Sequence, residues 1–302
     1  FKSTGSWYDV EGEDGVIYQC RLRGKLKLDG VKTTNPIAVG DFVEFEVEDA
    51  AKGTGIITSI KPRENYIIRK SVHNARYGSL IASNIDQAML IVTIAFPVTS
   101  LGFIDRFLVT AESFRIPVYL IFNKKDLLNG ELIRFYNNLS EIYGALNYKT
   151  VLISALDEND LEKGKEILQN KTTLVSGHSG GGKSTLINSI APNIAQKTSE
   201  VSSFAKKGVH TTTFAEMFKI NEGTFIIDTP GIKELGLVDI DPEELSHFFP
   251  EMRDLLGKCK FYNCMHTHEP GCAIEAAFAE GLIAESRYKS YLSMLDNEDN
   301  RR

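Results

Sequence analysis

Cysteine is scarce in this chain, with four residues among 302, too few for a disulfide scaffold. Long apolar runs are missing too. Ala88 to Phe96 and Val118 to Phe122 fall far short of the roughly 20 residues that span a bilayer, so no membrane partner is expected. There is no basic surplus: Lys+Arg 34 stand against Asp+Glu 40, giving a formal net charge of -6 and a pI near 5.6. That excludes a protein that simply coats nucleic acid. No internal repeat or low-complexity tract is present, and 42% hydrophobic with 25% charged residues excludes a disordered, collagen-like or coiled-coil chain. The opening Phe1-Lys2-Ser3-Thr4-Gly5 is no signal peptide; lacking a Met, it is expected to follow a few further residues. A soluble cytoplasmic protein in a reducing compartment is the expectation, with two or three domains.

The charge is uneven. Residues 1 to 70 carry 11 basic and 11 acidic side chains, residues 71 to 238 carry 16 and 16, and residues 239 to 302 carry 7 and 13. The whole acidic surplus therefore lies in the last fifth. The first segment also holds a local basic run, Arg21 to Lys27, readable as a solvated strand face or as a phosphate-contacting strand.

Residues 1 to about 70 alternate apolar and polar residues, as in Val16 to Leu22 and Asp41 to Val47, between Gly- and Asp-rich turns. This predicts a small all-β barrel or sandwich, with Phe42, Phe45 and Val47 in its core, Glu44 and Glu46 in water, and Lys61-Pro62-Arg63 as its exit. From about residue 80 near-continuous apolar runs (Ala88 to Ile94, Val118 to Phe122, Thr150 to Ile153, Thr173 to Val175, Thr224 to Ile227) alternate with helical segments such as Gly102 to Ser113 and Leu132 to Tyr143. That rhythm predicts a parallel sheet covered on both faces. The end reads as helical: Asp241-Pro242 opens one helix, and Ile274 to Leu295 forms a long amphipathic one with Gly281 as its weak point.

Gly177-His178-Ser179-Gly180-Gly181-Gly182-Lys183-Ser184 matches G-x-x-x-x-G-K-[ST], with an apolar strand before it and a helix beginning at Thr185 after it. Glycines let backbone N–H groups approach phosphate oxygens, and the helix N-terminus adds its positive dipole end. Lys183 is expected to reach the β- and γ-phosphates and Ser184 to ligate Mg²⁺. Asn123-Lys124-Lys125-Asp126 follows a strand. Asp126 can accept two hydrogen bonds from the N1–H and N2–H₂ donors of guanine, a pair adenine lacks, while Asn123 braces the loop and the Lys124 stem covers the base. Ser154-Ala155, after the next strand, matches the pair that in GTP-binding proteins offers an N–H to guanine O6. Asp228-Thr229-Pro230-Gly231 ends another strand, with Asp228 placed to hold Mg²⁺ through water and Gly231 N–H to meet the γ-phosphate. Between them Gly208 to Thr213 reads as a switch segment whose Thr212 completes the Mg²⁺ shell.

The base-reading motifs here precede the phosphate loop, whereas most small GTP-binding domains have the reverse order. The same sheet can be closed with the chain cut elsewhere, so the order is that of a circularly permuted GTPase. The reaction expected is GTP and water to GDP and phosphate. The position after the D-x-x-G motif holds Ile232, which cannot orient water, so that group must come from elsewhere; His210 is the candidate. A P-loop ATPase or kinase is disfavoured by Asn123 to Asp126. A nucleotide-gated RNA-binding or assembly module, with hydrolysis incidental, is the alternative from another class.

Cys259, Cys264 and Cys272, with His266 or His268, supply the four ligands of a closed tetrahedral Zn²⁺ site, and a closed site is structural. The remaining Cys20 is expected to be a buried small hydrophobe.

Jointly these features resemble the RsgA (YjeQ/YloQ) family, circularly permuted bacterial GTPases that act on the small ribosomal subunit. The resemblance rests on Thr4-Gly5-Ser6-Trp7-Tyr8, the permuted motif order, His210-Thr211-Thr212-Thr213 and the Cys259/Cys264/His266/Cys272 spacing, which selects His266 over His268. It implies an N-terminal OB-like barrel (1–70), a central α/β P-loop GTPase domain (71–238) and a C-terminal mainly helical zinc domain (239–302). It further implies one structural Zn²⁺ per chain, Mg²⁺ with GTP or GDP, and weak hydrolysis stimulated by the small ribosomal subunit in its late maturation. His210 is similar to the histidine proposed to orient water in this family. The rRNA of that subunit is then the expected partner of a monomer. Gly181 departs from the family, where Val is common, and the basic run Arg21 to Lys27 is modest for an RNA contact.

Overall fold

The computed structural model describes residues 1–4, 6–24, 35–70, 78–192, 215–228 and 240–296. They fall into two units, one made of Phe1–Met89, Ala155–Ser176 and Lys183–Glu234, the other of Leu90–Ser154, Gly177–Gly182 and Leu235–Arg302.

The first unit begins with five strands, β1 (Lys2–Ser3), β2 (Tyr8–Glu11), β3 (Ile17–Leu22), β4 (Val43–Asp49) and β5 (Thr54–Ile60). Their order is β1-β2-β3-β5-β4, antiparallel except for the parallel β3/β5 pair. This is the Greek-key order of an OB-like barrel. Tyr8, Tyr18, Cys20, Ile37 and Ile57 are buried at its centre, with Val10, Leu22, Val43, Phe45 and Ile60 packed against them. Cys20 is thus the buried hydrophobe the sequence suggests.

One expectation fails here. Phe42 and Val47 are 65% and 48% exposed: alternation through Val43 and Phe45 puts Phe42, one residue before β4, on the solvent side with Glu44, and the irregularity between Val47 and Asp49 breaks the alternation at Val47. In the basic run, Arg21 and Arg23 are exposed and pair with Glu48 at 2.6 Å and Glu46 at 3.4 Å across the strands. Lys25 and Lys27 lie outside the described residues. The exit at Arg63 is tied down, its guanidinium donating to Asp41 (2.6 Å) and to the Pro36 carbonyl (2.7 Å).

A two-stranded sheet follows, β6 (Tyr66–Lys70) with β7 (Gly78–Ser83). The β1 edge carries the first sheet onward. Lys2 pairs with Glu216 of β12 (Glu216–Asn221), which runs antiparallel to β13 (Thr224–Asp228), itself parallel to β11 (Thr172–Gly177). Helices α3 (Glu158–Leu168) and α4 (Lys183–Ile190) belong to this unit; Asp157 caps α3 by accepting from Asp160 N.

In the second unit β10 (Lys149–Leu152) lies parallel to β9 (Val118–Phe122), and next in strand order is β8 (Gln87–Val92), whose residues from Leu90 onward belong to this unit. β8 is buried at every position, as expected of a strand covered on both faces. Helices α1 (Leu101–Ser113) and α2 (Gly130–Ala145) are capped by Ser100 and Asn129 side chains. The C-terminal segment is mainly helical, with a 3₁₀ turn over Pro242–Phe248, then α5 (Pro250–Arg253), α6 (Ala273–Ala279) and α7 (Glu285–Leu295). Asp241 makes no side-chain cap bond there. The single long helix expected from Ile274 is two helices; Gly281, at φ 77°, takes the left-handed turn between them.

The α7 helix meets α1 through a buried ionic cluster. Arg287, fully buried, donates to Asp105 at 2.7 Å and to Glu251 at 2.7 Å. Ser290 and Tyr143 also donate to Asp105, at 2.5 and 3.0 Å. Burial disfavours the Arg287 cation, but the Asp105 and Glu251 charges outweigh it and push its pKa up.

Candidate nucleotide loops and metal site

Strand ends in the second unit set the Asn123–Asp126 loop. Asn123, buried directly after β9, receives its position from its N–H bond to Val92 (2.9 Å). Its side-chain amide donates to the Gly181 carbonyl at 3.0 Å, joining this loop to the phosphate-loop sequence. Gly182 has φ 89°, and a Cβ there would collide with the Asn123 amide, so only glycine fits. Lys124 takes a left-handed conformation, φ 66°, and Lys125 N–H bonds the Ile153 carbonyl at 3.0 Å, just beyond β10. The exposed Asp126 accepts from Ser154 Oγ at 2.5 Å. The His178 ring lies 4.1 Å from that of Phe103, centroid to centroid, while Ser179 and Gly180 are exposed.

In the first unit, Asp228 closes β13 opposite Val175 of β11, so the carboxylate sits at the strand end that leads toward the phosphate loop. Lys183, first residue of α4, pairs with it at 2.6 Å. Ser184 and Thr185 are exposed on the same first turn and Ala155 is buried. The chain thus offers two acceptor–donor sets: a lysine and hydroxyl at a helix start beside a carboxylate, and a carboxylate steadied by Ser154. The first suits a phosphate with its cation, the second a base edge. His210, Thr211, Thr212, Thr213, Gly231 and Ile232 lie outside the described residues.

Cys259, Cys264, His266 and Cys272 converge, their ligand atoms all within 4.8 Å of one another. Nδ1 of His266 is 3.6 Å from Cys259 Sγ and 3.5 Å from Cys272 Sγ, and the two sulfurs are 4.0 Å apart. A tetrahedral site with metal–sulfur bonds of about 2.3 Å has sulfur–sulfur edges of about 3.8 Å, so these residues fit a metal ion. All three cysteines are free thiols. His268 faces out and bonds Thr267 instead, leaving His266 as the clustered histidine. Burial lowers the His266 pKa and pushes the Cys264 thiol up to about 12.

Sequence reasoning missed what shapes this knuckle. Glu269 accepts from the N–H groups of Met265 (2.6 Å), Thr267 (2.9 Å) and His268 (3.1 Å). Burial works against its charge, but these backbone donors outweigh it and bring the carboxyl to about 2. Tyr288 and Tyr291 of α7 donate to the His266 and Met265 carbonyls, each at 2.8 Å. No spacing pattern marks such residues; only their proximity in the fold does.

Fold and loops together define a P-loop guanine-nucleotide-binding protein of permuted order, with a β domain before it and a metal-ligand cluster after it. The family model of the RsgA GTPase matches residues 60–238 and that of the RsgA N-terminal domain residues 1–57. The chain belongs to the RsgA GTPase family and is a GTP hydrolase. It is 52% identical over 302 residues to the small ribosomal subunit biogenesis GTPase RsgA of Cytophaga hutchinsonii, covering 100% of this chain and 98% of that one. The crystal structure of YjeQ from Thermotoga maritima is 36% identical, covers 98% of this chain and 95% of its own, and superposes with a TM-score of 0.77. YloQ, described as a circularly permuted GTPase, is 30% identical with a TM-score of 0.74, covering 100% and 94%. Among the described residues no helix is long and apolar enough to cross a membrane.

Proposed function

We propose that this chain hydrolyses GTP under stimulation by the small ribosomal subunit, in the cytoplasm and as a monomer, during late maturation of that subunit. The observation that carries the reading is likeness along the whole chain, 52% identity included, to a protein named for biogenesis of that subunit. The domain limits proposed are 1–70, 71–238 and 239–302.

Asp126 reads the guanine edge, helped by the Ser154-Ala155 backbone, and Asn123 braces the loop against Gly181. Residues Gly177 to Thr185 cradle the phosphates, Lys183 neutralising the β- and γ-oxygens. Ser184 and Thr212 would hold Mg²⁺ directly and Asp228 through water, and the ion would supply neutralisation of the phosphate charge. Gly231 N–H meets the γ-phosphate and His210 orients the attacking water, the role Ile232 cannot fill. Cys259, Cys264, His266 and Cys272 hold one Zn²⁺, whose part is structural because no ligand position stays open.

The test is GTP turnover with and without purified small subunits. Stimulation that is lost in His210→Ala while GTP binding persists supports the reading; stimulated turnover at the wild-type level removes His210 from it. Ile232 also supports the second reading, a nucleotide-gated assembly module. Release from the subunit with a non-hydrolysable GTP analogue, as fast as with GTP, would establish that one instead.

A further inference from the structure

The segment between β8 and α1 belongs to no motif, yet it touches both nucleotide loops of the second unit. Its ends are pinned to each other: Thr93 N–H donates to Thr99 Oγ1 at 3.0 Å, Thr99 N–H returns to the Thr93 carbonyl at 2.8 Å, and the Thr93 hydroxyl donates to the Pro97 carbonyl. Both threonines are buried, at 0% and 3% exposure, while the apex residue Phe96 is 81% exposed. Buried hydroxyls bonded within a short loop fix its shape, since breaking them strands polar groups away from water.

That shape delivers two contacts. The Lys124 ammonium donates to the Phe96 carbonyl at 2.8 Å. On the other side a Cβ built on Gly180 would come within 3.1 Å of Pro97 Cγ, so the loop lies directly against the phosphate-loop sequence. A lysine has a flexible four-carbon stem; one whose head is held by a fixed carbonyl has its stem laid out before any ligand arrives.

We propose that the Thr93–Ser100 loop is a working part of the nucleotide site, and that Thr93 and Thr99 are positioning residues acting through Lys124. By presenting the Phe96 carbonyl, they hold the Lys124 stem where it covers the purine. This rests on the guanine-reading role given above to Asn123–Asp126. Because Asp126 discriminates the base edge and Lys124 covers a face, the loop sets affinity for guanine nucleotide and leaves the preference over adenine nucleotide intact.

A double-mutant cycle read by GDP calorimetry tests this. Thr99→Ala is expected to weaken GDP binding about tenfold, the size of losing one charge-assisted hydrogen bond. In a Lys124→Ala background the same change is expected to cost less than twofold, and Thr99→Ser, which keeps the acceptor oxygen, to restore affinity. Equal losses in both backgrounds, no loss in either, or a fall in GDP-over-ADP preference would overturn the proposal. Should Thr99→Ala lose its cooperative melt, Thr93→Val cuts the same loop at its other bond and enters the same cycle. Wild-type protein that fails to bind GDP at all would overturn the guanine reading itself, a result distinct from any outcome of the cycle.

Discussion

Asn123 to Asp126 and Met265 to Glu269 are both short irregular segments carrying residues suited to hold a ligand, but different forces shape them. The first is set by the backbone of neighbouring strands: Asn123 N–H bonds Val92 and Lys125 N–H bonds Ile153. Among the described residues no strand pairs with the second. Side chains reach in to its backbone, Glu269 to three N–H groups and Tyr288 and Tyr291 to two carbonyls. A loop at a strand end inherits its geometry from sheet register. A knuckle in a helical segment must import it from side chains, and the four residues it brings together fit a metal ion.

This contrast fails or sharpens under three tests. The largest effect is expected from metal removal. Structural Zn²⁺ contributes an apparent 10–16 kcal/mol or so in finger peptides, comparable to a domain's whole stability of about 5–15 kcal/mol. Chelation, or Cys272→Ser, is therefore expected to abolish the near-UV circular dichroism of the Tyr288 and Tyr291 cluster. GDP binding is expected to survive it. Loss of both together would show that the nucleotide loops also depend on the metal.

Asp126→Asn comes next. Two charge-assisted bonds to guanine at about 1.5–3 kcal/mol each make a loss of GDP affinity of about 100-fold or more the expected result, together with weakened preference over ADP in competition. The melting temperature is expected to stay within about 2 °C, because Asp126 is exposed and the strands hold the loop. An unchanged affinity would contradict the assignment.

Glu269→Gln is the mildest. It keeps the shape and removes the charge, and partners of this kind typically change metal affinity by about 10- to 100-fold. Competition with a chromogenic chelator measures it, and the lower end is expected since both tyrosines remain. Wild-type metal retention would mean the ligands alone shape the knuckle.

How much of this was legible follows the same division. The motif residues could be proposed because phosphate and guanine recognition constrain residue type at fixed spacing, and the sheet strands could be read because they announce themselves as apolar runs. The short β12, Glu216–Asn221, escaped because it is only partly buried and carries no such run. The core of β4 was misassigned at Phe42, which shares a face with Glu44 and not with Phe45, and at Val47, where a register irregularity leaves no sign in composition. The pairing of Arg21 and Arg23 with Glu48 and Glu46 needed strand order, which spacing does not provide. The Thr93–Ser100 loop and Glu269 work through backbone groups, and any residue type supplies those.

The order of the motifs also has a consequence in time. β8, β9 and β10 lie consecutively between Gln87 and Leu152, so the Asn123–Asp126 loop leaves the ribosome with β8 and β9 already made and β10 following closely behind it. β1 has no such fortune: Lys2 pairs with Glu216, 214 positions later. At synthesis rates of about 5–20 residues per second, β1 waits roughly 10 to 40 s for that partner. Through that interval β1 has only β2 beside it, and the outer edge it later gives to β12 stays open to competing strands. The first unit of the nascent chain is therefore the part most in need of protection while the chain is being made.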